Sequence, residues 1–197
     1  DLHRVDRRQR QMCIRDRPHS ASLSREWLYD GAGSNTWGNI AMWTHAIRHY
    51  KENLQWSDEI NLRSLEKARR KHHLQTVAAM NLKKTPGGAN TNKVELREFV
   101  KKHKGLLRSQ VDLYWSQTDI IVCCGVEVGS LFRSLVKDIS LQKHVFETAD
   151  KEMAKKILYY QTGDGKLIID FYHPQAHISK GFMYNSIRDI VSLFYKS

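Results

Sequence analysis

No run of apolar residues in this sequence approaches the ~20 needed to span a bilayer, and the basic N-terminus lacks the apolar stretch of a secretory signal. A membrane-inserted chain is therefore not expected, and a cytoplasmic setting is the default. Cysteine is scarce. There are three, two of them adjacent in "IIVCCG", which suits neither a disulfide framework nor a zinc site. Negative charge is also short: 21 Asp and Glu stand against 32 Lys and Arg, a net +11 with pI ≈ 9.6. That balance favours polyanionic partners, nucleic acid first and an anionic membrane surface second. A length of 197 residues suits one sizeable core and a single domain.

Part of the charge lies in an odd segment. "DLHRVDRRQRQMCIRDR" (residues 1–17) has neither helical nor strand periodicity and reads like translated adaptor sequence; a natural disordered basic arm is the competing reading. Six arginines against three aspartates give it +3, so the remainder would still carry +8. Residues 1–22 are accordingly expected to be a disordered or artefactual basic segment, with the folded domain spanning 23–197.

From Trp37 onward the patterning is clear. Trp37, Ile40, Trp43 (or Thr44), Ile47, Tyr50 and Leu54 recur at helical spacing, with Ser34 or Asn35 as cap. "SDEINLRSLEKARRKHH" follows as a second helix, capped by Ser57 and basic in its last turns. "LQTVAAMN" reads as a short buried strand ending at Asn81, before the loop "LKKTPGGANTN". Asn92 and Glu95 form a capping box for one long helix through Trp115, with Leu96, Phe99, Val100, Leu106, Leu107, Val111 and Tyr114 on its apolar stripe. "DIIVCCG" is a continuously apolar strand of the parallel-sheet kind, followed by the helical "EVGSLFRSLV". A helix is expected around "ADKEMAKKI". "LYYQT" and "KLIIDFY" then flank the hairpin signal Gly163-Asp164-Gly165. Ser179 opens a final helix with Met183, Ile187, Ile190, Val191 and Phe194 inward.

Strands alternating with helices predict an α/β fold with three layers, α/β/α, around a mostly parallel sheet. Ligands bind such sheets beyond the carboxyl ends of the strands. Asn81, the loop at Gly125 and His173 lie at such ends and are expected to converge. His45 and His49, four apart on one helix face, have metal-binding spacing, but no third ligand of suitable spacing is evident, so no metal is expected. Cys123 and Cys124 read as small core residues, and Gly87-Gly88 lacks the pattern of a phosphate-binding loop.

Three segments, in order, resemble the uracil-DNA glycosylase-like superfamily. "VAAMNLKKTPGGANTN" looks like the family's second strand with its base-reading asparagine and polar loop. "DIIVCCGVEVGSL" looks like its third strand and following helix, and "HPQAHIS" is similar to its histidine-proline-serine loop. The closest likeness is to poorly characterised bacterial members with "TWxNIxxW" and "NLKKxxGG" stretches. The resemblance covers roughly the C-terminal two-thirds of the chain. It implies hydrolysis of the N-glycosidic bond of a base flipped from DNA, without cofactor and as a monomer. Asn81 would read the base with an amide that both donates and accepts, and His173 would stabilise the departing anion. Lys83, Lys84, Gln175, His177 and Ser179 would meet the DNA backbone. Gln175 stands where better-known members have serine. The family's first strand and its water-activating loop have no counterpart before Leu23, so the domain is expected to lack its first strand. Each role has a plainer alternative: a turn residue at 81, a structural histidine at 173, an ordinary helix cap at 179 and solvated lysines. The rival reading is a non-catalytic nucleic-acid or nucleotide-binding module of the same fold.

Overall fold

A computed structural model describes residues 35–57, 67–83, 92–136, 138–148 and 156–196. The N-terminal segment 1–22, the start of the domain at Leu23, Ser34, the loop around Gly87-Gly88 and Lys84 lie outside these residues. So does most of the helix expected at "ADKEMAKKI". Its last two residues, Lys156 and Ile157, instead open a strand.

The first helix, α1 (Asn35–Arg48), is apolar on more than one face, with Trp37, Ala41, Met42, Trp43 and Ala46 all buried. A short 3-10 turn (Tyr50–Glu52) follows it, and α2 (Lys67–Leu74) brings Leu74 back to the same core. The predicted long helix is two helices, α3 (Lys93–Lys102) and α4 (Lys104–Trp115), interrupted at His103. The buried face nevertheless keeps helical spacing across the break, Val100 and Leu107 lying seven residues apart. Leu96, Val100, Leu107 and Val111 are buried as expected, whereas Leu106 and Tyr114, expected on the stripe, face outward. The capping box is present: Asn92 Oδ1 accepts from the amides of Val94 (3.0 Å) and Glu95 (3.3 Å), and its Nδ2 donates to Glu95 Oε1.

Strand β1 (Ile120–Cys124) leads into α5 (Val126–Leu135), then come β2 (Leu141–Glu147), β3 (Lys156–Thr162), β4 (Leu167–Phe171) and α6 (Lys180–Phe194). The four strands lie in the order β1-β4-β3-β2. The expectation of a mostly parallel sheet is corrected: only β1–β4 is parallel, while β3–β4 and β2–β3 are antiparallel. The tight turn at Gly163-Asp164-Gly165 leaves no room for a crossover, so β4 must return alongside β3 with reversed direction. Gly165 takes φ 82° in that turn, a conformation glycine adopts without a steric penalty.

Two further expectations change. "LQTVAAMN" is not a strand: residues 77–81 are irregular, and Ala78, Ala79 and Asn81 are exposed. A short apolar run becomes a strand only where a neighbour accepts its backbone hydrogen bonds, and no described strand pairs with it. β2, by contrast, was not foreseen in "LQKHVFE". It is a partly exposed strand at the sheet edge, and its apolar positions alternate too weakly with polar ones to register.

The sheet separates two cores. On one face Ile157, Tyr159, Leu167, Ile169 and Phe171 pack against α1, α2 and α6. On the other, Cys123, Tyr160 and Ile168 pack against α3, α4 and α5. The α/β class and the layered arrangement thus agree with the sequence pattern. All five residues predicted inward on α6 are buried. Gly181 lies so close to Trp56 that a Cβ there would stand 2.8 Å from Trp56 Cδ1, which explains glycine in the first turn of that helix.

One buried side chain gives the fold a pH signature. His73 is 6% exposed, and its Nδ1 has no hydrogen-bond partner. Burial, with the neighbouring charges of His45, Arg48, His72 and His49, pulls its pKa down to about 4. The unfolded chain, with an ordinary histidine, binds that proton first. The contribution of neutral His73 is therefore complete above about pH 6.5 and is lost as pH falls toward 4. Denaturant midpoints in metal-free buffer should fall over that window, by at most about 3 kcal/mol from this residue. The slope attributable to it should vanish in His73→Leu.

Candidate functional site

Of the residues singled out from sequence, Gln175, His177 and Ser179 line one cleft beyond β4, whereas Asn81 and His173 line neither described cleft. The parallel strands β1 and β4 finish side by side, where the Gly125 amide donates to Phe171 O at 2.8 Å. Gly125 has φ 123°, which suits glycine at this strand-to-helix corner. From here β4 runs on through Tyr172 into His173-Pro174, and α5 begins at Val126. Arg97 on α3 meets Glu127 in the first turn of α5 through two hydrogen bonds (2.5 and 3.0 Å). The start of α3 carries Glu95, which holds Lys83 Nζ at 2.8 Å, two residues beyond Asn81. Side-chain pairs thus run from Lys83 to the start of α3 and from α3 to the first turn of α5, just after β1.

An open cleft of about 460 Å³ lies against that end of β4. It is lined by Asn39, the run Gln175–Lys180 and Met183. Gln175, His177 and Ser179, three of the expected DNA-backbone contacts, thus share one wall. Ser179 also caps α6, its Oγ accepting from Phe182 N at 3.4 Å, so the plainer reading of that residue holds alongside any other. A second cleft of about 370 Å³ is lined by Lys83, Glu95, Glu98, Phe99, Lys102 and His103. Asn81 and His173 are both exposed, and neither lines either cleft. The expected convergence of these two side chains on one pocket is therefore not found there. His173 Nδ1 accepts from the Gln175 amide at 3.2 Å, which fixes the ring over the start of its own loop and turns Nε2 outward. Lys83 is committed to Glu95, whose carboxyl is held below the usual range chiefly by its hydrogen bond from that lysine.

No family model, curated protein or solved structure matches the chain. The site has to be judged on its own chemistry.

No expectation from the sequence attaches to Asn39, and the structure gives it a role. It is 5% exposed and its Nδ2 donates to Pro174 O, so α1 holds the peptide between His173 and the cleft wall. Its Oδ1 is buried without a partner. The signal available was an asparagine on an otherwise apolar helix, where a buried amide needs a tertiary partner. The thiols conform to the sequence reading. Cys123 is buried and Cys124 half-buried, and burial raises both pKa values, that of Cys124 to about 11, so neither supplies a thiolate near neutral pH. No helix among the described residues is long and apolar enough to cross a membrane.

Proposed function

We propose that this protein is a DNA-binding domain of uracil-DNA glycosylase-like fold that takes a flipped, uracil-like base and hydrolyses its N-glycosidic bond. The observation that carries this reading is the loop 173–180. It leaves the carboxyl end of a parallel strand, presents an exposed histidine, and walls an open polar cleft in a strongly basic chain. Cleavage of the bond builds negative charge on the departing base, and an imidazole at a firm strand end, backed by proline, suits its stabilisation. Gln175, His177 and Ser179 supply hydrogen-bonding groups for a sugar–phosphate backbone beside it. Lys84 and Asn81 keep the roles that the resemblance implies, backbone contact and base reading.

The non-catalytic alternative has a specific observation in its favour. Among the described residues no carboxylate lines the cleft against α6, so a carboxylate base for water is lacking there. Both readings predict DNA binding that weakens steeply with salt, because released counterions dominate the affinity. They separate on His173→Ala. In the enzyme this change lowers base release by about 10²-fold or more while leaving DNA affinity within a few-fold. In the binding module there is no release to lose. Release of uracil and other damaged bases from single- and double-stranded DNA, by the full-length protein and by His173→Ala, is the experiment.

A further inference from the structure

β2 (Leu141–Glu147) pairs along all seven of its residues with β3, and among the described residues no strand pairs with its other side. The outward N–H and C=O groups of such a strand form a row open to a further strand, and exposed sheet edges bind extended partners in this way.

The side chains along the edge specify the partner. The register with β3 sorts them by face. Lys143 lies across from Tyr160, Val145 across from Leu158 and Glu147 across from Lys156, on the side of the core that contains Tyr160 and Leu158. His144 and Phe146 share the other face with Tyr159 and Ile157. Val145 is 48% exposed, an open apolar position with exposed Lys143 and Glu147 two residues to either side.

That arrangement makes the strand complementary to itself. In an antiparallel pair with a two-fold axis through Val145, Lys143 of each copy stands opposite Glu147 of the other, and valine stands opposite valine. On the other face His144 comes opposite Phe146, ring against ring. Opposite charges, β-branched pairs and aromatic pairs at opposed positions stabilise a ladder, and like charges there destabilise it. Neighbouring registers lose this match: a centre at His144 sets Lys143 against Val145, and a centre at Lys143 sets lysine against lysine. A lysine on an edge strand ordinarily guards against pairing. Here Glu147 gives it a partner in a second copy. Glu147 also meets Lys156 of its own chain at 2.9 Å, but its side chain stays 66% exposed and open to a second lysine.

We propose that two copies of this protein associate edge to edge through antiparallel β2 strands, joining two four-stranded sheets into one. This dimer replaces the monomer that the resemblance implies. Its interface is isologous, each copy offering and receiving the same strand. One strand buries well under the ~1,200 Å² of a standard interface, so association is weak, with Kd on the order of 10–100 μM. The net +11 of each copy opposes contact, and salt at about 0.15 M screens that long-range repulsion more than the directly opposed pairs. None of the residues lining the cleft against α6 lies on β2 or β3, so the association stands apart from the proposed base release.

Sedimentation velocity of the full-length protein, at concentrations spanning that Kd and at about 0.15 M salt, tests it. Wild type should pass from monomer to dimer. Lys143→Glu and Glu147→Lys each place two like-charge pairs in the ladder, and each should weaken self-association about ten-fold or more. Mixed in equal amounts, the two variants should form a heterodimer about as tight as wild type, because every reversed charge then faces its opposite. Both side chains are exposed, so neither change threatens the fold. Wild type that stays monomeric throughout would overturn the proposal. So would a dimer indifferent to both reversals, or variants that remain apart when mixed.

Discussion

Replacing Gly129 with alanine should cost the protein about 3 kcal/mol and lower its melting temperature by roughly 10 °C. Gly129 is buried on the face of α5 that lies against β4. A Cβ placed there would overlap Asp170 Oδ1 and stand 2.5 Å from Asp170 Cγ. The atom in the way is not the free end of a flexible chain. It belongs to a carboxylate buried near the end of β4 and clamped by Arg133 one turn along the same helix. The strand cannot retreat either, since Asp170 is paired across Cys123 on one side and Leu158 on the other. Helix and sheet must separate, or the ion pair must break. Thermal or urea unfolding of Gly129→Ala against wild type measures the loss, and a change below about 0.5 kcal/mol would contradict this packing.

Removing the cation of that pair should be at least as damaging. Arg133→Met leaves Asp170 as a buried charge without its partner, at an expected cost of about 3–5 kcal/mol at neutral pH. The guanidinium also stacks 4.3 Å over the centre of the Tyr160 ring, so some packing is lost with the charge. The sign of the pH dependence identifies the cause. Burial already raises the pKa of Asp170 in spite of Arg133, which pulls it down. Without arginine it must rise further. A carboxyl whose folded pKa lies above its unfolded value contributes most below the unfolded value and loses that contribution as pH rises through the folded one. Arg133→Met should therefore regain stability on acidification from pH 7 toward 5. Adding Asp170→Asn should restore much of the loss at pH 7, because the double variant buries no charge. A loss independent of pH and unrelieved by Asp170→Asn would point to packing alone.

These predictions bear on function because the Gly129–Asp170–Arg133 contact joins α5, as it leaves that end of the sheet, to β4 just before it reaches the candidate site. Phe171 follows Asp170 directly, and two residues later comes His173. A wedge between α5 and β4 should shift the loop 173–180 before it unfolds the domain.

Local signals in the chain were strong where periodicity and chemistry agreed. The buried face of α6, the cap formed by Asn92 and Glu95, the glycine turn between β3 and β4 and the apolar β1 were all legible, because each is set by residues within a few positions of one another. Pairing was not. Whether a strand runs parallel or antiparallel depends on the length of its connection, and the short turn between β3 and β4 dictates an antiparallel pair. The apolar content of "LQTVAAMN" predicts a strand, but strand formation needs a neighbour, and no described strand pairs with it. The break at His103 is equally hidden, because the buried positions Leu96, Val100, Leu107 and Val111 keep helical spacing across it. At the site, Gln175, His177 and Ser179 stand out in the loop sequence and share one cleft wall, whereas Asn39 owes its role to Pro174, 135 residues away in sequence. Such contacts leave no local trace.

The central claim is that the exposed imidazole at 173 acts on a base drawn out of DNA. The most direct measurement is uracil release from single- and double-stranded DNA by the full-length protein, run beside His173→Ala with DNA affinity measured in parallel. The account predicts release by the wild type, loss of release in the variant, and affinities that agree within a few-fold. Release that persists unchanged in His173→Ala, or no release from any damaged base by a protein that still binds DNA, would contradict it.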